Sequence, residues 1–227
     1  MKMSVCIPTY EMGGKGVYFL NEAFQSIKSQ TLKEIEVVIS DHTVDDSIED
    51  FCKEQDLDIK YFRNTNKRGS SSANINNAIQ QAQGEVIKIL FQDDYFYDKT
   101  CLEQIYDKFE EGANWVVVGT THTSTSADHF FNPIIPRYHD KIYLGENTIS
   151  SPSVLAVRNE SPLLFDEDLS WLMDVEYYKR LYDKYGHPQT IDKILVVNRL
   201  WEGQVSSTKI TPQLVDRETQ YVRGKYL

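Results

Sequence analysis

Asp93 and Asp94 stand side by side at the end of the apolar run Ile89-Leu90-Phe91, and the aromatic residues Tyr95 and Phe96 follow at once. Adjacent carboxylates beside apolar residues raise each other's proton affinity unless a cation or hydrogen-bond donors compensate them. A divalent metal shared with phosphate oxygens meets that need, because hard cations prefer oxygen ligands and often combine one or two carboxylates with substrate phosphates. An ordinary turn meets it too, with Asp94 or Asp98 capping a helix that begins near Lys99. Three other strand-like runs close on polar residues: Pro8-Thr9-Tyr10-Glu11, Ser40-Asp41-His42, and Asn64 through Lys67, Arg68 and Gly69. Each alone is turn composition. Together they suit the carboxyl edge of an open parallel sheet, where ligands bind.

The intervening pattern supplies such a sheet. Met3 to Ile7, Ile35 to Ile39, Ile59 to Phe62, Glu85 to Phe91 and Trp115 to Val118 read as strands, the first ended by Pro8 and the fifth by Gly119. Helices are expected over Val17–Ser29, Val44–Cys52, Ser70–Gln83 with Gly84 as C-cap, and Lys99–Phe109. Strands alternating with helices imply an α/β fold with a mostly parallel, Rossmann-like central sheet flanked by helices. Past residue 120 the pattern loosens, and THTSTSADHF and NPIIPRYHD read as loops. A strand over Val154–Val157, a helix over Asp174–Tyr185 closed by Gly186 and Pro188, an extended run Ile191–Val197 and a helix from Pro212 complete the expectation.

Composition narrows the function. In 227 residues, 41% hydrophobic content fills one sizeable core, so a single domain is expected. A net charge of -10 excludes a general nucleic-acid binder. No apolar run reaches a membrane-span length, and Pro8 and polar residues stand where a signal peptide would be apolar, so a cytoplasmic protein without stable membrane insertion is expected. Cys6, Cys52 and Cys101 form no C-x-x-C pair and read as core residues. Gly13-Gly14-Lys15-Gly16 lacks the spacing of a phosphate loop, and His122, His129, His139 and His187 lack metal-ligand spacing.

The segments SVCIPTYEMG, EVVISDHTVDDS, NKRGSSSANINNAI, AQGEVIKILFQDDYF and FDEDLSWLMDVEYYKRL, in this order, resemble the family 2 glycosyltransferases of the GT-A fold over residues 3 to 206. The resemblance implies one GT-A domain with a nucleotide-binding half over 1–120, an acceptor-binding half over 121–206 and a helical tail over 207–227. It implies a nucleotide-sugar site of Pro8, Thr9, Tyr10, Glu11, Asp41, Arg68, Gly69, Gln92, Asp93 and Arg199, with Asp41 on the uracil. Asp93 matches the last Asp of a D-x-D motif and so a ligand of Mn2+ or Mg2+, which Asp94 would complete. Asp174 matches the family's catalytic base, and the segment 147–153 faces the donor sugar. Three positions depart from the family pattern. Phe91 replaces the first Asp, His42-Thr43 alters the turn after Asp41, and Trp201 stands where many relatives carry a histidine.

The expected reaction is an inverting transfer of a hexose, glucose being the first candidate, from a UDP-sugar to a hydroxyl of a saccharide or glycoconjugate. Asp174 would take the hydroxyl proton, with Glu176 its competitor; Ser153 and Trp171 would border the acceptor, and Lys67 is a further candidate at the diphosphate. Asp174 at a helix start is equally consistent with favourable placement in the helix dipole, and Arg199 with a structural ion pair. A nucleotide-sugar-binding protein without turnover, motivated by Phe91 and Trp201, and a nucleotidyltransferase are the alternatives.

Overall fold

The computed structural model describes residues 1–124 and 129–227, so part of the loop expected over 121–130 lies outside the described residues. The elements, in order, are β1 (Met3–Thr9), α1 (Gly16–Lys28), β2 (Ile35–Asp41), α2 (Ser47–Lys53), β3 (Ile59–Arg63), α3 (Ser71–Gln81), β4 (Val86–Ile89), β5 (Tyr95–Phe96), α4 (Cys101–Glu110) and β6 (Trp115–Thr123). Then follow β7 (Phe131–Ile134), β8 (Leu155–Arg158), α5 (Met173–Tyr185), β9 (Gln189–Arg199), α6 (Val205–Thr208) and α7 (Pro212–Tyr226).

The sheet runs in the order β3-β2-β1-β4-β8-β6-β9-β5, with β7 on β6. β3, β2, β1 and β4 are mutually parallel; β8 is antiparallel to β4 and to β6, and β6 pairs in parallel with β9. β1, β2, β3, β4, β6 and β9 therefore share one direction, which is the mostly parallel sheet expected. The strands are apolar because helices cover the sheet: Val5, Ile7, Val38, Ile39, Ile87 and Ile89 are fully buried, and Leu20, Phe24, Ile75 and Ile79 of α1 and α3 pack into the same core.

Pro8 lies inside β1 and does not end it. Cys6 faces β4, its carbonyl accepting from Leu90 N–H, while Thr9 faces β2, its carbonyl accepting from His42 N–H. By that alternation Pro8 faces β4, where pairing has already stopped at Cys6, so its missing N–H breaks no ladder bond. Beyond that point β1 and β4 diverge and open the crevice in which the site lies.

Two glycines act differently from expectation. Gly84 is not a C-cap, since α3 ends at Gln81 with Ala82 as its cap. A Cβ at Gly84 would lie 2.6 Å from Met3 C and Ser4 N, so the chain enters β4 pressed against β1. Gly119 does not end β6, which continues to Thr123; a Cβ there would lie 2.5 Å from the Lys193 carbonyl oxygen, at a register shift against β9. Gly186, with φ +77°, closes α5 as expected. The three cysteines are buried and unpaired, and burial pushes the Cys52 and Cys101 thiols up to about 12.

Because the atoms facing Gly84 are backbone, Gly84→Ala is expected to cost about 1–3 kcal/mol, the usual range for overpacking. Urea unfolding should show a lower midpoint with an unchanged slope, and an unchanged midpoint would refute the close approach.

Candidate active site

Two cavities open at the carboxyl edge of the sheet. The larger, about 630 Å³, lies between Pro8, Tyr10 and Glu11 after β1, His42 after β2, Arg68 and Gly69 before α3, and Phe91, Gln92 and Asp93 after β4. The smaller, about 310 Å³, is bounded by His122, Asn147, Ser150, Ser151, Asn198 and Leu200. Phe91, Asp93, Asp174 and Gln204 line both. Asp93 and Asp174 therefore stand where the cavities meet, with Asp94 on the side of the smaller one.

Asp94 is buried, and both its oxygens are engaged. Oδ2 accepts from Asn198 Nδ2 at 2.7 Å and Oδ1 from the Arg199 backbone N–H at 3.0 Å. Burial, then the neighbouring Asp93, raises its pKa to about 7. Burial also raises Asp93, against a bond from Trp201 Nε1 to Oδ2 at 2.9 Å that lowers it. A buried and a half-buried carboxylate, both raised in proton affinity, form the environment that a cation relieves. Asp93 has the freer oxygens and faces both cavities. Among the described residues no three His, Cys, Asp or Glu side chains converge on one point, so a cation here would draw its remaining ligands from substrate oxygens or water. Hard-ion chemistry of the Mn2+ or Mg2+ kind fits that donor set.

Asp174 lies in the first turn of α5. Its Oδ2 accepts from Asn147 Nδ2 at 2.7 Å and its Oδ1 from Val175 N–H at 2.7 Å. Burial raises its pKa to about 7. Its sequence competitor, Glu176, faces away. Fully buried, it is held by Arg180, by Lys225, and by Tyr226 Oη at 2.7 Å.

Several expected ligands stand behind the wall. Asp41 is fully buried: Oδ1 accepts from Thr9 Oγ1 at 2.9 Å, Thr43 Oγ1 at 2.7 Å and Thr43 N–H at 3.0 Å, and Oδ2 from Tyr61 Oη at 2.7 Å. Neither Asp41 nor Thr9 lines the larger cavity; they clamp β1 to β2. His42 lines it instead, with Nδ1 accepting from Gly69 N–H at 3.3 Å and Nε2 against the Asn66 carbonyl oxygen at 3.1 Å. Arg199 pairs with Glu22 at 2.6 Å and donates to the Asp93 carbonyl oxygen, which makes it a buried ion pair that lines the smaller cavity and not the larger. Ser153 Oγ accepts from Phe91 N–H at 2.8 Å, leaving its neighbours Ser151 and Pro152 to face the cavities. Lys67 pairs with Glu167 at 2.9 Å. Gln92 faces the cavity but spends its amide on Tyr10 N–H and the Gly16 carbonyl, and so shapes the loop after β1.

Arg68 remains in the wall, and Lys209, from the segment expected to be a tail, joins it. Gly69, with φ +86°, leads into α3, whose cap Ser70 accepts from Ala73 N–H at 3.2 Å. Two cations and a helix N-terminus thus border the cavity of an acidic protein, a setting suited to phosphate. Trp171, 40% exposed, lies on the opposite wall just before Asp174.

The profile of glycosyl transferase family 2 matches residues 4–172. The chain belongs to that family. One relative, the GalNAc(5)-diNAcBac-PP-undecaprenol beta-1,3-glucosyltransferase of Campylobacter jejuni, is 32% identical over 114 residues, covering 49% of this chain. The chain spans only 35% of that relative's length. Among solved structures, S. aureus TarS 1-349 in complex with UDP-GlcNAc superposes with a TM-score of 0.77 at 20% identity, over 99% of this chain and 66% of the other. The mannosyltransferase PcManGT of Pyrobaculum calidifontis, in complex with GDP-Man and Mn2+, reaches 0.65 at 16% identity, over 88% of this chain and 57% of that one. These likenesses show the fold, which is GT-A. Asp174, Trp201 and Lys209 of this family 2 chain lie beyond the matched residues, so their roles rest on geometry.

Asp41→Asn is expected to cost about 1–3 kcal/mol of stability, because an amide nitrogen would oppose donors now satisfied. Calorimetric UDP affinity measured well below the unfolding midpoint should change less than about threefold. A large loss of affinity in a stably folded variant would return Asp41 to the nucleotide site.

Proposed function

We propose that this chain transfers a hexose from a UDP-sugar to a hydroxyl of a saccharide or glycoconjugate, with inversion. The observation that carries the reading is the meeting of two cavities at Asp93 and Asp174. The larger cavity, bordered by Arg68, Lys209 and the start of α3, takes the nucleoside diphosphate. The smaller, where the hydroxyls and amides of Ser150, Ser151, Asn147, Asn198 and Gln204 stand among Asp93, Asp94, Asp174, His122 and Arg199, takes a hydroxyl-rich acceptor. Residues 1–120 form the nucleotide-binding half and 121–206 the acceptor-binding half, while 207–227 close the site from the side. The UDP-GlcNAc bound to TarS supports a uridine donor, and the name of the Campylobacter relative makes glucose the first sugar to test.

The acceptor hydroxyl attacks the anomeric carbon opposite the leaving group. Its oxygen forms the new glycosidic bond as the bond to the β-phosphate oxygen breaks. Asp174, held by Asn147, takes the hydroxyl proton, and UDP leaves with the bonding pair. A proton affinity raised to about 7 suits a base working near neutrality. Arg68 and Lys209 offset charge developing on the diphosphate. Asp93 would hold Mn2+ or Mg2+, whose positive charge supplies further stabilisation of the leaving group; Asp94, tied to β9, supports the turn.

Asp174→Asn is expected to lower transfer by roughly 10²–10⁴-fold while calorimetric UDP binding persists. Unchanged transfer would remove Asp174 from the mechanism. Because the base must be ionised, kcat/KM of the native protein should fall about tenfold per unit as pH drops below about 7. A flat profile from pH 5 to 8 would contradict that role. UDP release from a panel of UDP-sugars, with Mn2+ and again with EDTA, identifies the donor and the metal requirement. UDP binding without release from any sugar, in the presence of saccharide acceptors, would favour the binding-protein reading that Phe91 and Trp201 suggest.

A further inference from the structure

Glu218 sits in the middle of α7, a helix that composition marks only as a charged tail, yet its side chain is 1% exposed. Its carboxylate accepts three successive backbone N–H groups: Ser170 at 2.9 Å on Oε1, and Trp171 at 2.8 Å and Leu172 at 2.9 Å on Oε2. These three residues lead directly into α5 and its Asp174. Of the three residues only Leu172 is buried, and it is the Glu218 carboxylate that lies inside the protein; backbone donors without strand or helix partners must find acceptors elsewhere, and a carboxylate with two oxygens accepts three where an amide offers one oxygen.

The same face of α7 makes the other contacts to this segment. Tyr221 Oη and Lys225 Nζ reach Asp166 Oδ2 at 3.0 Å each, Val222 is buried, and Lys225 and Tyr226 reach Glu176. Spacings of three and four residues place these groups on one helical stripe. Tyr221 and Lys225 tie down the start of the segment at Asp166. Among the described residues of α7, Glu218 is the one that bonds the 170–172 backbone next to Asp174.

We propose that Glu218 is a positioning residue: from α7 it fixes the 170–172 backbone, and through it the placement of Asp174 and Trp171 at the junction of the two cavities. This rests on Asp174 as the base. Glu218 also adds negative charge near Asp174, which raises the proton affinity that burial has already raised. The other ionisable groups that flank Asp174 or line the cavities with it are Tyr178 and Glu176 on α5, Asp93 and Asp94 after β4, His122 on β6, Arg199 on β9, and, across the larger cavity, Tyr10, Glu11, His42, Arg68 and Lys209, while Arg217 lies 3.9 Å from Glu218 itself. Glu176 is neutralised by Arg180 and Lys225, and none of the others donates to or accepts from the 170–172 backbone.

The test is a carbon-13 carboxyl NMR titration of the whole chain, with Asp174 assigned by its loss in Asp174→Asn. Three proteins are compared: native, Glu218→Gln, and Tyr221→Phe as a control that loosens α7 without touching the 170–172 donors. The native midpoint is expected near 7. In Glu218→Gln it should fall by about half a pH unit, an approximately threefold change in acidity, and the amide protons of 170–172 should exchange faster. In Tyr221→Phe both should stay as in the native protein. An unmoved midpoint or unchanged exchange in folded Glu218→Gln would overturn the proposal. So would equal shifts in both variants, which would make α7 a merely structural strut. The acid limb of UDP release, run on the same proteins, should move with the midpoint. If the midpoint moves while Asp174→Asn leaves UDP release unaltered, the base assignment fails and the Glu218 coupling stands.

Discussion

A buried carboxylate that must find donors organises this molecule. Asp94 ends the run from β4 inside the protein, where an unpaired charge is costly, and among the described residues its N–H donors come from Asn198 and Arg199, more than 100 residues away, with the Ser153 hydroxyl beside them. Satisfying it brings the end of β9 against the turn after β4. That contact delivers Trp201 to Asp93 and Arg199 to Glu22, and it sets the wall between the two cavities. Lys88, six residues earlier, plays the opposite charge. Also fully buried, its ammonium faces the carbonyls of Ile89, Ser153 and Leu155, and burial lowers its pKa to about 7. The run from Lys88 to Asp94 thus anchors both neighbours of the smaller cavity, β9 through Asp94 and the 151–155 segment through Lys88.

The cleft itself follows from the parting of β1 and β4 past Cys6. The polar residues at the strand ends then divide into two layers. Thr9 and Asp41 face inward and lock the strands, and Asn74 of α3, which also reaches the cavity wall, joins them: it takes Ser40 Oγ at 2.7 Å and gives to the Thr9 carbonyl at 3.0 Å. Tyr10, His42, Arg68 and Asp93 face the cavity. An overall charge of -10 opposes an anionic ligand, so the local supply of positive charge from Arg68, Lys209 and the start of α3 decides whether a diphosphate is held.

Much of this was legible in the sequence because the signals are local. β-branched runs flanked by turn residues gave β1 to β4 and β6, and apolar spacing gave α1, α3, α4 and α5. The two-residue β5 and the edge strand β7 carry too little pattern to be seen. Gly84 and Gly119 were misread for one reason. Glycine usually signals an ending, yet here each is needed because another chain segment lies within 2.6 Å of where a Cβ would stand. In the site, the strand ends were located correctly, but adjacent strand residues point to opposite sides and the sequence does not say which side is the cavity. Asp41 is therefore expected at the cavity from sequence, whereas its neighbour His42 is the residue that lines it. Lys209 and Glu218 were out of reach because folding alone brings them to the larger cavity and to the segment before Asp174.

Trp201 shows how a departure from the family pattern can be read physically. An indole N–H donates and carries no charge, so it occupies Asp93 Oδ2 without ligating a cation. Phe19 packs against the ring at 5.2 Å and Lys15 lies over it at 5.4 Å, which fixes the indole in place. Asp93 thus keeps Oδ2 committed to Trp201, and Gln204 also helps hold the charge that burial disfavours. A proton and any divalent cation bound here would compete for the same carboxylate, so affinity for such a cation would strengthen as Asp93 ionises. The tryptophan in this way fixes the orientation of the carboxylate.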